Sequence, residues 1–222
     1  MILFIGNSLT FSQNGIYSHL EKLAVSATPP IAIQTTQSLK GGATLETHWN
    51  RPTPQTLIKK GSYDAVVLQE DLPETTVERF HEYARLFIDL IRATNSRPIL
   101  LMTWPYERLP GINTQGIEDA HRVLQTQLNV EVAPAALAWQ HSSNKRPELD
   151  LFAPDREHPS LAGTYLTTCV LYATLFRSSP IGNAYIPEGL ATVDATDLQT
   201  CAWQTYRLWN NHPSAPEGST AT

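Results

Sequence analysis

The chain has 222 residues, 41% of them hydrophobic and 17% charged, with a formal net charge of −5. That length suits one domain with a sizeable core. The acidic balance leaves no basic footprint, which argues against nucleic acid and against an anionic membrane surface as partners.

No apolar run is long enough to span a bilayer. The start shows no charged leader followed by an apolar stretch and a cleavage site. The chain as it stands therefore reads as cytoplasmic, or as secreted or periplasmic if a leader has been removed. Cys169 and Cys201, the only cysteines, lie in apolar helical contexts and read as buried free thiols. No Cys-x-x-Cys or His-x-x-x-His pattern points to a metal, and no cofactor is expected.

Ile2 to Ile5 is a short, wholly apolar run, the signature of a strand covered on both faces. It runs directly into Gly6-Asn7-Ser8-Leu9. Helical spacing follows from Asn14 to Ala27, with Ile16, Leu20, Leu23 and Ala24 on one face, and Pro29-Pro30 ends that unit. Ile31 to Thr36 reads as the second strand. Ser38 to Pro52 is a long loop carrying Gly41-Gly42 and His48-Trp49, and Pro54 to Lys60 a short helix.

Ala65 to Leu68 is the next buried strand. Glu74 to Thr94 is an amphipathic helix whose Phe80, Tyr83, Ala84, Phe87, Ile88 and Ile91 share a face. Pro98 to Thr103 is the fourth strand, followed by an aromatic and polar loop from Trp104 to Gly111. Ile117 to Leu128 is helical, Val130 to Val132 the fifth strand, and Ala135 to His141 a short helix. Ser160 to Phe176 is an apolar helix that begins after His158-Pro159. Ala195 to Trp209 is the last helix. Residues 1–212 read as one domain, and Pro213 to Thr222 as a small, polar, disordered tail.

Strands alternating with helices predict an α/β fold, a three-layer α/β/α sandwich around a five-stranded parallel sheet. Right-handed crossovers favour a flavodoxin-like strand order. Ligands of such sheets bind outside the carboxyl ends of the strands. Ser8, the Gly42 loop, Gln69 and the Trp104 loop all follow strand ends, so they are expected on one edge.

A neutral serine needs a base within hydrogen-bond reach, and the base needs a group to fix its tautomer. Ser8 suits the nucleophile, His158 the base and Asp155 the orienting carboxylate, three residues before the imidazole. The backbone N–H groups of Ser8 and Gly42, with the Gln69 side-chain amide, are the candidate oxyanion donors. Trp49, Trp104 and Tyr106 are the candidate walls for substrate.

The pattern resembles the SGNH (GDSL-like) hydrolase family. The resemblance is carried by Gly6-Asn7-Ser8-Leu9 after the first strand, Gly42-Ala-Thr44 after the second and Asp155-Arg-Glu-His158 near the end. It covers most of the chain. The third block departs from it: where the family carries Gly-x-Asn-Asp, this chain has Val67-Leu-Gln-Glu-Asp-Leu72, with Gln69 standing in for the asparagine. The resemblance implies ester hydrolysis through an acyl-serine intermediate. With no long insertion to form a lid, an open site for short acyl or acetyl groups is expected, with a carbohydrate ester as the first subtype. Lipase or acyl thioesterase activity is the alternative within the family.

Several residues also fit plainer readings. Ser8 suits a helix N-cap, Gly41-Gly42 a tight turn, and Gln69 the satisfaction of loop backbone. Glu70 and Asp71 read as solvated or capping residues, and His19, His81 and His121 as surface residues on helices. A non-catalytic carbohydrate- or ligand-binding module on the same scaffold is the competing function. A nucleotide-binding domain is disfavoured because Gly6-Asn-Ser-Leu is not a dinucleotide fingerprint.

Overall fold

The computed structural model describes residues 1–211; the tail expected from Pro213 onward lies outside them. Five parallel strands form one sheet: β1 (Ile2–Gly6), β2 (Thr35–Leu39), β3 (Ala65–Gln69), β4 (Arg97–Leu101) and β5 (Glu131–Ala133). They lie in the order β2-β1-β3-β4-β5, the flavodoxin-like order. The helices are α1 (Ser8–Phe11), α2 (Ile16–Val25), α3 (Leu45–Trp49), α4 (Pro52–Lys60), α5 (Val77–Arg92), α6 (Thr114–Leu128), α7 (Ala135–Lys145), α8 (Leu161–Phe176) and α9 (Thr192–Asn211).

The pleat sends alternate strand residues to opposite faces. Ile2, Phe4, Val67, Ile99 and Leu101 join a core built mainly with α2, α7, α8 and α9. Leu3, Ile5, Val66, Leu68 and Leu100 join a second core with α3, α4, α5 and α6. Both faces are covered, so the central strands read as unbroken apolar runs instead of alternating ones. Among the described residues no helix is long and apolar enough to cross a membrane. Cys169 and Cys201 are buried free thiols.

Among the differences from the sequence expectation, two concern β2 and α3. β2 begins at Thr35, not Ile31, because its register places Thr35 opposite Ile2. It is an edge strand, and Ile31 and Ile33 pack on the core as a lead-in. The apolar alternation of these two half-buried residues is what reads as strand in the sequence. The loop expected over 38–52 contains α3, whose N-cap Thr44 accepts a hydrogen bond from the Thr47 N–H at 3.2 Å. The capping threonine was its local signal. The carboxyl ends of β1 to β4 form one edge of the sheet, and the candidate site lies there.

Candidate active site

Ser8 opens α1, two residues after the end of β1. Asn7 caps that helix by accepting from the Leu9 N–H at 3.0 Å. Its own N–H donates to Gln69 Oε1 at 2.8 Å. The turn is tight because Gly6 has no side chain: a Cβ there would lie 2.6 Å from Gln69 Oε1 and 3.0 Å from Thr10 Oγ1. The plain capping role thus belongs to Asn7, which leaves the Ser8 hydroxyl available.

Asp155 and His158 sit on a loop that an antiparallel bridge between Phe152 and Pro159 pinches shut. Asp155 Oδ1 accepts from the backbone N–H groups of Glu157 at 3.1 Å and His158 at 2.9 Å. This local turn directs Oδ2 to His158 Nδ1 at 2.7 Å. His158 Nε2 lies 2.8 Å from Ser8 Oγ. With Nδ1 carrying its proton toward the carboxylate, Nε2 is the acceptor for the serine hydroxyl. Partial desolvation pulls the Asp155 carboxyl upward, but the His158 N–H, the imidazole and the Glu157 N–H outweigh it and hold the group below the ordinary carboxylate range. The structure therefore brings all three residues named from the sequence into one line.

The candidate oxyanion donors do not all assemble. The N–H groups of Ser8 and Gly42 have no hydrogen-bond partner among the described residues. Gly42 has φ +63° with open space around its Cα, the left-handed conformation that favours glycine. Gln69 does not fit the role. Its Nε2 donates to the Glu70 carbonyl at 2.9 Å, and its Oε1 accepts from Asn7 and from Thr10 Oγ1 at 3.1 Å. At 1% exposure this amide binds the turn together beneath the site, because a buried amide on a strand end must satisfy its own donors and acceptor first.

The expected aromatic walls also turn inward. Trp104 is 1% exposed and stacks on Trp139 with ring centroids 3.6 Å apart, its indole N–H donating to the Glu157 carbonyl at 3.0 Å. Tyr106 is buried and donates its hydroxyl to Asp71 Oδ1 at 2.6 Å. Trp49 is half-buried, edge-on to Phe87. Their large apolar area draws them into the core. Of the three, Trp104 bonds to the His158 loop, through its indole N–H.

Glu70 and Asp71 are buried, not solvated. Burial pushes the Glu70 carboxyl up to about 7, against its hydrogen bonds from the Asp71 and Leu45 N–H groups. Asp71 is pushed up to about 6 by burial, with the Tyr106 hydroxyl working the other way. A carboxyl with its folded pKa above the unfolded value stabilises the fold most when protonated in both states, and that contribution fades as pH rises through the folded value. Replacing Glu70 by the neutral, isosteric glutamine is thus expected to favour the fold by about 2 kcal/mol more at pH 8 than at pH 5. Urea unfolding of parent and variant at both pH values measures this, and the histidine contributions cancel in the difference. A gap that does not change with pH would contradict it.

Two of the three helical histidines expected at the surface are interior. His19 donates and accepts between the Gln13 carbonyl and the Tyr185 hydroxyl, both at 2.7 Å. His121 is 2% exposed, and burial pushes it down to about 4. His81 is half-buried against the Ala120 carbonyl. His48, next to the Gly42 loop, is fully buried. Desolvation lowers its pKa, partly opposed by its bond to the Gly6 carbonyl at 2.8 Å. Among the described residues no group of three or more His, Cys, Asp or Glu side chains converges to hold a metal ion.

Sheet order, strand-end site and the placement of the serine turn define the class: this is the fold of the SGNH hydrolases. No protein-family model matches the sequence, and no curated protein does. Solved structures share the fold at low identity. A DUF4886 family protein from Bacteroides uniformis is 17% identical, with a TM-score of 0.72 over 96% of this chain and 97% of its own. A candidate SGNH hydrolase from Slackia heliotrinireducens is 24% identical, with a TM-score of 0.65 over 78% of this chain and 97% of its own. A variant of an acetyl-xylooligosaccharide esterase from Geobacillus is 17% identical, with a TM-score of 0.62 over 78% of this chain and 93% of its own.

Proposed function

We propose that this chain is a serine hydrolase that cleaves carboxylic esters of short acyl groups through an acyl-serine intermediate. The observation that carries the reading is the relay from Asp155 through His158 to Ser8, with links of 2.7 and 2.8 Å. It joins residues 150 positions apart in sequence, and neither helix capping nor loop packing requires it.

In this reading Ser8 Oγ attacks the ester carbonyl as His158 Nε2 takes its proton. The imidazolium that forms is stabilised by Asp155. The N–H groups of Ser8 and Gly42 face the oxyanion. His158 then protonates the departing alcohol, and water, activated by the same nitrogen, releases the acid. With the Gln69 amide committed elsewhere, only two donors remain among the candidates. A missing donor typically costs about a hundred-fold or more in rate, so slow turnover is expected.

The short-acyl preference is supported by the position of the relay at the open strand-end edge, with the Asp155 side chain 50% exposed. The burial of Trp104 and Tyr106 leaves neither ring to line a sugar site. Support for an acetylated carbohydrate is now the fold shared with the acetyl-xylooligosaccharide esterase.

The test is turnover of p-nitrophenyl esters of rising chain length and of acetylated xylan, together with labelling by an organophosphonate. Acetyl or butyryl turnover with the label on Ser8 is expected. No turnover and no label would overturn the reading in favour of a binding module. An optimum at long chains would overturn the short-acyl preference and favour a lipase.

A further inference from the structure

We propose that Asp71 is a positioning residue that holds the Ser8 turn and the His158 loop in register; the proposal deepens the esterase reading and rests on it. Asp71 is 2% exposed and bonds to neither Ser8 nor His158. Its two carboxylate oxygens divide between the two halves of the relay. Oδ2 accepts from Asn7 Nδ2 at 2.6 Å, and Oδ1 accepts from the Tyr106 hydroxyl at 2.6 Å.

On one side, Asn7 is the residue before the nucleophile, and its other amide atom, Oδ1, caps α1. Its side chain is therefore pinned at both ends, and with it the direction of Ser8 Oγ. On the other side, Tyr106 belongs to the loop that braces the base. The Glu107 N–H donates to the Arg156 carbonyl at 3.0 Å, and the Trp104 indole donates to the Glu157 carbonyl at 3.0 Å. Arg108 pairs with the Glu157 carboxylate and with Glu74. Asp71 thus bonds to both supports at once. A carboxylate suits the place because both partners are donors. The charged groups facing it are Glu74, Glu157 and Arg108, with Glu70 adjacent in the chain.

The bond between residues 7 and 71 can be rebuilt with donor and acceptor exchanged. In the double variant Asn7→Asp/Asp71→Asn, the carboxylate introduced at position 7 still accepts from the Leu9 N–H. It also accepts from the side-chain amide introduced at position 71, whose oxygen still accepts from the Tyr106 hydroxyl. Asn7→Asp alone sets two carboxylates face to face, and Asp71→Ala severs both links.

The experiment measures kcat and KM for a short p-nitrophenyl ester, normalised to sites titrated with organophosphonate, and the 15N shift of His158 Nε2, which reports the Ser8 hydroxyl bond. Asp71→Ala and Asn7→Asp are expected to lower kcat roughly 10- to 100-fold with little change in KM, the size of effect that follows from slight misplacement of a reacting group. Both should move the Nε2 shift toward an unbonded imidazole. The double variant should recover most of the rate and the shift. Unchanged kcat per titrated site and an unchanged Nε2 shift, with only a lower melting temperature, would overturn the proposal. So would a double variant no better than the singles predict by independent effects. The nitrogen shift needs no turnover, so it decides the role of Asp71 even if the parent hydrolyses no ester, an outcome that would sink the esterase reading alone.

Discussion

Ser8→Ala is expected to reduce ester turnover by about 10⁴- to 10⁶-fold while leaving the melting temperature within a few degrees of the parent. The hydroxyl makes its one side-chain bond to His158 Nε2 at 2.8 Å, and Asn7, not Ser8, caps α1. Its loss removes the proposed nucleophile and that one bond, and leaves the helix cap in place. His158→Ala should cost a similar factor, and Ser8→Ala/His158→Ala no more than either alone, because groups that act as one unit are not additive. Asp155→Asn should lose roughly 10³- to 10⁴-fold, since its amide can present an N–H to Nδ1 and favour the wrong imidazole tautomer. Steady-state kinetics on the short ester, with circular dichroism to monitor the fold, reads all four. Residual activity of Ser8→Ala within ten-fold of the parent would exclude Ser8 as the nucleophile.

Gly163→Ala is expected to destabilise the protein by about 3 kcal/mol and to lower the melting temperature by roughly 10 °C. Gly163 lies in the first turn of α8, where a Cβ would press into the Leu151 carbonyl oxygen and come within 2.6 Å of the Trp139 indole. The obstacle is partly backbone, so no rotamer change relieves it. The Leu151 carbonyl accepts from the Ser160 N–H at 2.8 Å, and the segment between those two residues carries Asp155 and His158. Making room for a methyl group is therefore expected to lift the loop of Asp155 and His158 off α8, and kcat of the proposed esterase should fall along with stability. Gly111→Ala is the control: a Cβ there meets nothing within 4 Å, and the substitution should be neutral or slightly stabilising. A Gly163→Ala variant as stable as Gly111→Ala would contradict this account of the packing.

The parallel sheet and its order were legible because each central strand is a short apolar run between helical periodicities. Leu3, Ile5, Phe4 and Val67 announce two covered faces by themselves. The amphipathic stripe of α5 was equally direct. The edge strand β2 was misplaced by four residues, since an edge strand is paired on one side only and lacks a two-faced apolar pattern. α3 was missed because a five-residue helix has too few turns to show a period.

The α/β class and the three relay residues can be read from the linear chain alone. Ser8, Asp155 and His158 are marked by strand-end position and by a three-residue spacing, both of which are local properties. Which polar and aromatic side chains face the site is settled only when the chain is folded. Gln69, Glu70, Asp71, Trp104 and Tyr106 read as site or surface residues in one dimension, yet all five are buried. Burial depends on which distant segments converge above a residue. A buried polar group must then bond to whatever those segments present. That requirement commits the Gln69 amide to the turn beneath Ser8, and it sets Asp71 between Asn7 and Tyr106.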